Sequence, residues 1–121
     1  MTRAVLEETA IHPAVRERIA GLHASTVAEV QAALAQHAVV VVGMGGNPVV
    51  RKVRKALDAV GVAHHDLDYG NYFGQWRRRN ALKMWTGWPT LPMVFVKGQL
   101  VGGGEDTQRL IASGELKRLL G

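Results

Sequence analysis

No cysteine occurs anywhere in the 121 residues. That absence excludes disulfides, thiolate metal sites, cysteine-ligated iron–sulfur clusters and thiol nucleophiles supplied by the chain itself, and it removes the usual clue to redox compartment. Long apolar runs are missing too. The longest, Ala38 to Val42, is far too short to span a bilayer, so no membrane association is expected. The opening Met1-Thr2-Arg3-Ala4-Val5-Leu6-Glu7-Glu8 places acids where a secretory signal needs its apolar stretch, which makes the cytoplasm the expected location. No serine sits in a nucleophile motif, and the glycine-rich Gly43-Met44-Gly45-Gly46 lacks the lysine and serine of a phosphate loop. The five histidines show no metal-ligand spacing. His64 and His65 are neighbours on an expected strand and point to opposite faces, while His12, His23 and His37 are scattered, so no metal site is expected. Internal repeats, linkers and low-complexity tracts are also absent.

What is present suits one domain with a modest core and an excess of base, net charge +5. Pro13 opens a short helix carrying Val15, Ile19 and Leu22 at spacings of four and three. Thr26 with Glu29 three residues on reads as a capping box ahead of Val30, Ala33 and Leu34. Ala38-Val39-Val40-Val41-Val42 is an unbroken β-branched run, the pattern of a buried central strand. Asn47 is a good N-cap and Pro48 suits the first helical position of a helix with Val49, Val53, Ala56, Leu57 and Val60 as its apolar stripe. Gly61 stops that helix, and Val62 to Asp68 reads as a strand parallel to the first because a helix connects them. A further helix is expected from about Phe73 to Trp85. Met93–Val96 and Gln99–Val101 read as a hairpin around Lys97-Gly98, followed by a helix near Asp106 to Ala112 and a last turn from Glu115 to Leu120. The order α-β-α-β-α-β-β-α predicts an α/β sandwich on a small four-stranded mixed sheet flanked by helices. Residues 1–24 form an N-terminal helical extension to a domain at 25–121.

Two motifs carry a resemblance over about Thr26 to Leu120. They are Trp88-Pro89-Thr90-Leu91-Pro92 and Val101-Gly102-Gly103 with the acids Glu105 and Asp106 following, supported by Ser113-Gly114-Glu115-Leu116. Together they resemble the glutaredoxin family, thioredoxin-fold thiol enzymes, most of all its monothiol branch. The resemblance implies a cis bond before Pro92 and a glutathione groove at which Leu91 offers its backbone. Thr90 and Pro92 would line that groove, Gly103 would border it, and Glu105 or Asp106 would hold the ligand's amine. Lys83 or Arg79 would reach a carboxylate. The family's nucleophilic cysteine aligns with Asn47, and Met44 stands where many members carry a lysine.

The chain therefore keeps the frame and lacks the reagent. An asparagine amide neither ionises near neutral pH nor exchanges with a disulfide, so no catalytic residue is assigned and no iron–sulfur cluster can be ligated by the chain's own side chains. The sequence points to a redox-inactive glutaredoxin-like binding module, with an unidentified protein partner and glutathione as the candidate small ligand. Two alternatives remain: a glutathione-dependent oxidoreductase relative that borrows an external thiol, and, ranking last, a nucleic-acid-binding domain. The last rests on the helix Trp76 to Trp85, where Trp76, Arg79 and Lys83 share a side.

Overall fold

The computed structural model describes residues 2–121. Ten elements follow a single 3-10 turn at Glu8–Ala10: α1 (Pro13–Gly21), α2 (Ala24–Gln36), β1 (Val39–Gly43), α3 (Pro48–Ala59), β2 (His65–Asp68), α4 (Trp76–Thr86), β3 (Met93–Val96), β4 (Gln99–Gly102), α5 (Gly104–Ala112) and α6 (Glu115–Leu120). The sheet order is β2-β1-β3-β4, with β1 parallel to β2 and antiparallel to β3, and β3 antiparallel to β4. This is the thioredoxin fold that the order of elements in the sequence implied.

β1 lies inside the sheet and all five of its residues are buried, which is why it can be β-branched on both faces. Val40 and Val42 point into one half of the core with Val30, Tyr69, Leu82, Met93 and Phe95, beneath α2 and α4. Val39 and Val41 point into the other half with Val53, Leu57, Val94, Val96 and Leu116, beneath α3, α5 and α6. Each fully buried valine or leucine stabilises the fold by about 1.5–3 kcal/mol relative to exposure. The hairpin turns at Lys97 (φ 49) and Gly98 (φ 78), the two left-handed residues that a two-residue connection requires.

Local signals fail where tertiary partners compete. Thr26 and Glu29 do not cap α2, which begins earlier, at Ala24 after a left-handed His23. Thr26 is buried and its Oγ1 accepts a hydrogen bond from Arg78 Nε at 2.9 Å, while Glu29 accepts one from the Tyr69 hydroxyl at 2.5 Å. On α3 the inward stripe runs through Val50, Val53 and Leu57, and Val49 is exposed. β2 is shorter than expected because Val62 to His64 precede the ladder. α4 starts at Trp76 rather than near Phe73, since Asn71 and Gly74 exchange two backbone hydrogen bonds of 3.3 Å and close a loop there. α5 starts at Gly104, two residues before Asp106. Among the described residues no helix is long and apolar enough to cross a membrane.

Candidate functional site

Three segments meet at one end of the sheet. The first is the turn from β1 into α3. Gly46 has φ +76, which favours glycine, and Gly45 N–H donates to Gly70 O at 2.8 Å, tying this turn to the loop after β2. Asn47 then caps α3, its Oδ1 accepting from Val49 N–H at 2.9 Å and Val50 N–H at 3.1 Å. Pro48 has no N–H, and Arg51 N–H reaches Asn47 O at 3.3 Å. The first-turn donors of the helix are therefore satisfied by Asn47 alone. The N-cap expected at Asn47 is present, and it leaves this helix end without a free donor for an anion.

The second segment is Trp88 to Met93. The Leu91–Pro92 peptide is cis. Thr90 is exposed, Leu91 is half-buried and Pro92 is buried. The β1–β3 ladder ends at the Val42–Met93 pair, so the Leu91 main chain lies beyond it. The third segment is the start of α5. A Cβ on Gly103 would sit 3.4 Å from Pro92 O and 3.5 Å from Trp88 Nε1, and one on Gly104 would come within 2.5 Å of Val49 Cγ1. Only glycine at 104 lets the starts of α3 and α5 approach so closely. The Trp88 indole N–H is buried beside Gly103 and has no partner among the described residues.

Side chains around this junction do not all face it. Met44 is buried, so it presents nothing to a ligand. Asp106 Oδ2 accepts from Gly103 N–H at 3.0 Å and Thr107 Oγ1 donates to Gly103 O at 2.8 Å, so Asp106 serves its own helix start. Glu105 is the exposed acid here, its side chain 93% exposed and ion-paired with Arg109 at 3.6 Å. Arg79 is buried, and its Nη1 donates to Tyr69 O at 2.9 Å and Gly74 O at 2.8 Å. It can neither reach a ligand carboxylate nor join Trp76 and Lys83 in a basic face, since burial and those two carbonyls consume it. Lys83 remains half-buried on α4. Asn47, Pro92, Gly103 and Glu105 thus belong to one contiguous junction, from which Met44 and Arg79 are turned away.

Two polar clusters were not anticipated. Tyr69 is buried, its hydroxyl hydrogen-bonded to Glu29 and its ring covered by the Arg78 guanidinium at 4.8 Å. Burial and then the Glu29 bond push that hydroxyl well above the usual tyrosine range. His64 sits between two carboxylates, Nδ1 2.6 Å from Asp66 and Nε2 2.8 Å from Asp58. Asp66 and Asp68 are both held by Arg54, at 3.3 Å and 2.9 Å. Desolvation lowers the His64 pKa, but the hydrogen bonds and charges of Asp66 and Asp58 outweigh it and the net shift is upward. The spacing of His64 and Asp66, two apart along an extended chain and so on one face, was the available signal. Among the described residues no group of three or more histidines and carboxylates gathers to hold a metal.

A family model described as glutaredoxin matches residues 39–101. A glutaredoxin-like protein of Dictyostelium discoideum is 46% identical over 94 residues, 78% of this chain and 76% of that protein. A probable monothiol glutaredoxin 2 of Rickettsia felis is 38% identical over 69 residues, 57% of this chain and 64% of that protein, just under two thirds of its length. Oxidized glutaredoxin 2 from Chlamydomonas reinhardtii superposes with a TM-score of 0.68 at 30% identity, covering 81% of this chain and 92% of that structure.

Proposed function

Because the chain belongs to the glutaredoxin family, we propose that it acts as a redox-inactive member of it, a module that binds through the family's groove without thiol chemistry. One observation carries this reading. The Asn47 amide oxygen accepts the two helix-end N–H bonds that would stabilise a thiolate at this position, so the chain both lacks the sulfur and consumes the electrostatic device that activates it.

Glutathione fits the junction in part. The free main chain of Leu91 suits the ligand's central residue, paired as an added strand, with Thr90 beside it. Glu105 suits its ammonium group. The donors for its carboxylates are depleted: the α3 end is self-capped, Met44 is buried and neutral, and Arg79 is engaged, which leaves Lys83 as the basic candidate. A lost contact to a charged group commonly weakens binding by about 1.5–3 kcal/mol, so the tripeptide is expected to bind weakly.

Glutathione titrated to millimolar concentration, with amide shifts mapped, tests the groove. Shifts confined to Asn47, Thr90–Met93 and Gly103–Asp106 support it, and their absence removes it. Assayed beside an active glutaredoxin for glutathione-dependent reduction of a small mixed disulfide, the chain is expected to stay at the glutathione-only background. Turnover above that level favours the borrowed-thiol alternative instead.

A further inference from the structure

From Tyr69 to Gly104 the chain has no acidic residue, while Arg77, Arg78, Arg79, Lys83 and Lys97 are basic. Within that stretch the loop before α4 and the first residue of α4 present aromatic side chains outward: Phe73 is 98% exposed, Tyr72 63% and Trp76 55%. Exposed aromatics close in sequence to an arginine are costly to hold in water and have the composition of interface anchors.

The loop is also rigidly built. Gly70 has φ +69, and a Cβ there would come within 2.4 Å of Gly74 O. Asn71 closes onto Gly74, and its Oδ1 accepts from Phe73 N–H at 2.8 Å. The buried Arg79 guanidinium is committed to the two ends of this loop, at Tyr69 O and Gly74 O. Burying a charge to fix a loop that displays two aromatics beside a third on α4 is a preorganising arrangement, and preorganisation reduces the ordering cost of binding.

Beside Trp76 lies a recess of about 340 Å³ lined by His23, Gln75, Trp76, Arg77 and Arg78. Arg77 forms no ion pair among the described residues and lies over the Trp76 ring at 5.2 Å. Arg78 is half committed, Nε to Thr26 and Nη1 to Gln75. Glu29 accepts from Tyr69, whose ring Arg78 covers, so that carboxylate offsets part of the Arg78 charge. Arg77 is the cation of the recess with no acidic partner among the described residues.

We propose that the Asn71–Arg77 loop is a docking surface for an acidic segment of another protein, whose carboxylates seat against Arg77 and Arg78 while an apolar side chain packs on Phe73 and Trp76. Tyr72 lies 3.9 Å from where a Cβ on Gly46 would stand, so this surface adjoins the Asn47 junction. The surface does not depend on the glutathione groove, and a failed glutathione titration leaves it intact.

The test selects from a displayed random peptide library on the wild-type chain, with counter-selection on a Phe73→Ala/Arg77→Glu double variant. Phe73 and Arg77 are exposed, so the variant is expected to keep the wild-type unfolding midpoint. Peptides enriched on the wild type should combine acids with an apolar residue. The synthetic form of the best peptide should shift the amides of residues 71–77, bind more weakly as salt is raised, and lose roughly tenfold or more in affinity on Phe73→Ala. The proposal is overturned if enrichment is equal on wild type and variant, or if the selected peptides lack acids or bind elsewhere. Tighter binding of a single-stranded oligonucleotide to the same residues would assign the surface to nucleic acid instead. A sedimenting dimer that Phe73→Ala dissolves would assign it to a second copy of the chain.

Discussion

Asn47 decides the chemistry of the α3 end with one atom. Its Oδ1 takes two N–H donors that a ligand anion or a thiolate would otherwise use. Asn47→Ala should therefore cost about 1 kcal/mol of stability, the usual effect of removing such a cap, read as a lower urea midpoint. The same change frees both donors, so anion binding at the junction should strengthen, and unchanged amide shifts on phosphate titration would count against self-capping as the cause of weak binding. Asn47→Cys should gain weak glutathione-dependent exchange, because cysteine would place a thiolate where the amide oxygen now accepts. His64 supplies the second residue-scale case. Both ring nitrogens face carboxylates, which only the imidazolium can satisfy at once, and its folded pKa is raised. A raised histidine contributes stability that is fully present below its unfolded value near 6.5 and lost as pH rises through the folded value. Urea midpoints should thus fall as pH climbs through neutrality and above, and His64→Gln should flatten that dependence. A wild-type slope retained in the variant would shift the effect to another titrating group.

At the scale of elements, the interest lies in which contacts hold α4 and its loop. Arg79 is an unusual strut, a buried guanidinium bonded to two carbonyls rather than to a carboxylate. Arg79→Met should cost on the order of 2–3 kcal/mol, because two carbonyls lose a charged donor, and amides 70–75 should exchange faster with solvent. Loss of stability with unchanged exchange in that loop would mean that Arg79 braces α4 alone. This strut also marks the limit of what the sequence discloses. Pro48 after Asn47, Lys97-Gly98 between two apolar runs, and Ser113-Gly114 are local signals with local causes, and the helices and hairpin they predict are present. Thr26-Glu29 and Arg79 looked equally local, as a cap and as a surface charge. Their partners, Arg78, Tyr69 and Gly74, are set by tertiary packing that no spacing rule reveals. The candidate site divides the same way. Gly103 and Pro92 were marked by their motifs, whereas the capping role of Asp106 and the burial of Met44 depend on where α5 starts and how β1 ends.

For the whole molecule, both halves of the core are built from α2 onward, since the buried residues begin at Thr26 and Val30. α1 contributes none, and its Val15 and Ile19, with Leu22 just after it, are each at least 40% exposed. Among the described residues Arg3 ties the start of the extension to α4, its Nη1 donating to Thr86 O at 3.0 Å, and a cavity of about 480 Å³ lies between the two. Ile19 and Leu22 line one wall of that cavity, with Val27, Met84 and Trp85 opposite. Walls that do not close on each other have gained only part of their burial free energy, so the extension should add little to stability. Removing residues 1–22 should leave a chain that still unfolds in one cooperative transition, with a loss on the order of 1 kcal/mol and the amide pattern of the sheet unchanged. Perturbed shifts should be confined to the cavity walls around Val27, Ala81 and Trp85. If the shortened chain instead fails to fold, or its sheet amides lose protection, the extension is part of the core in a way its exposure conceals.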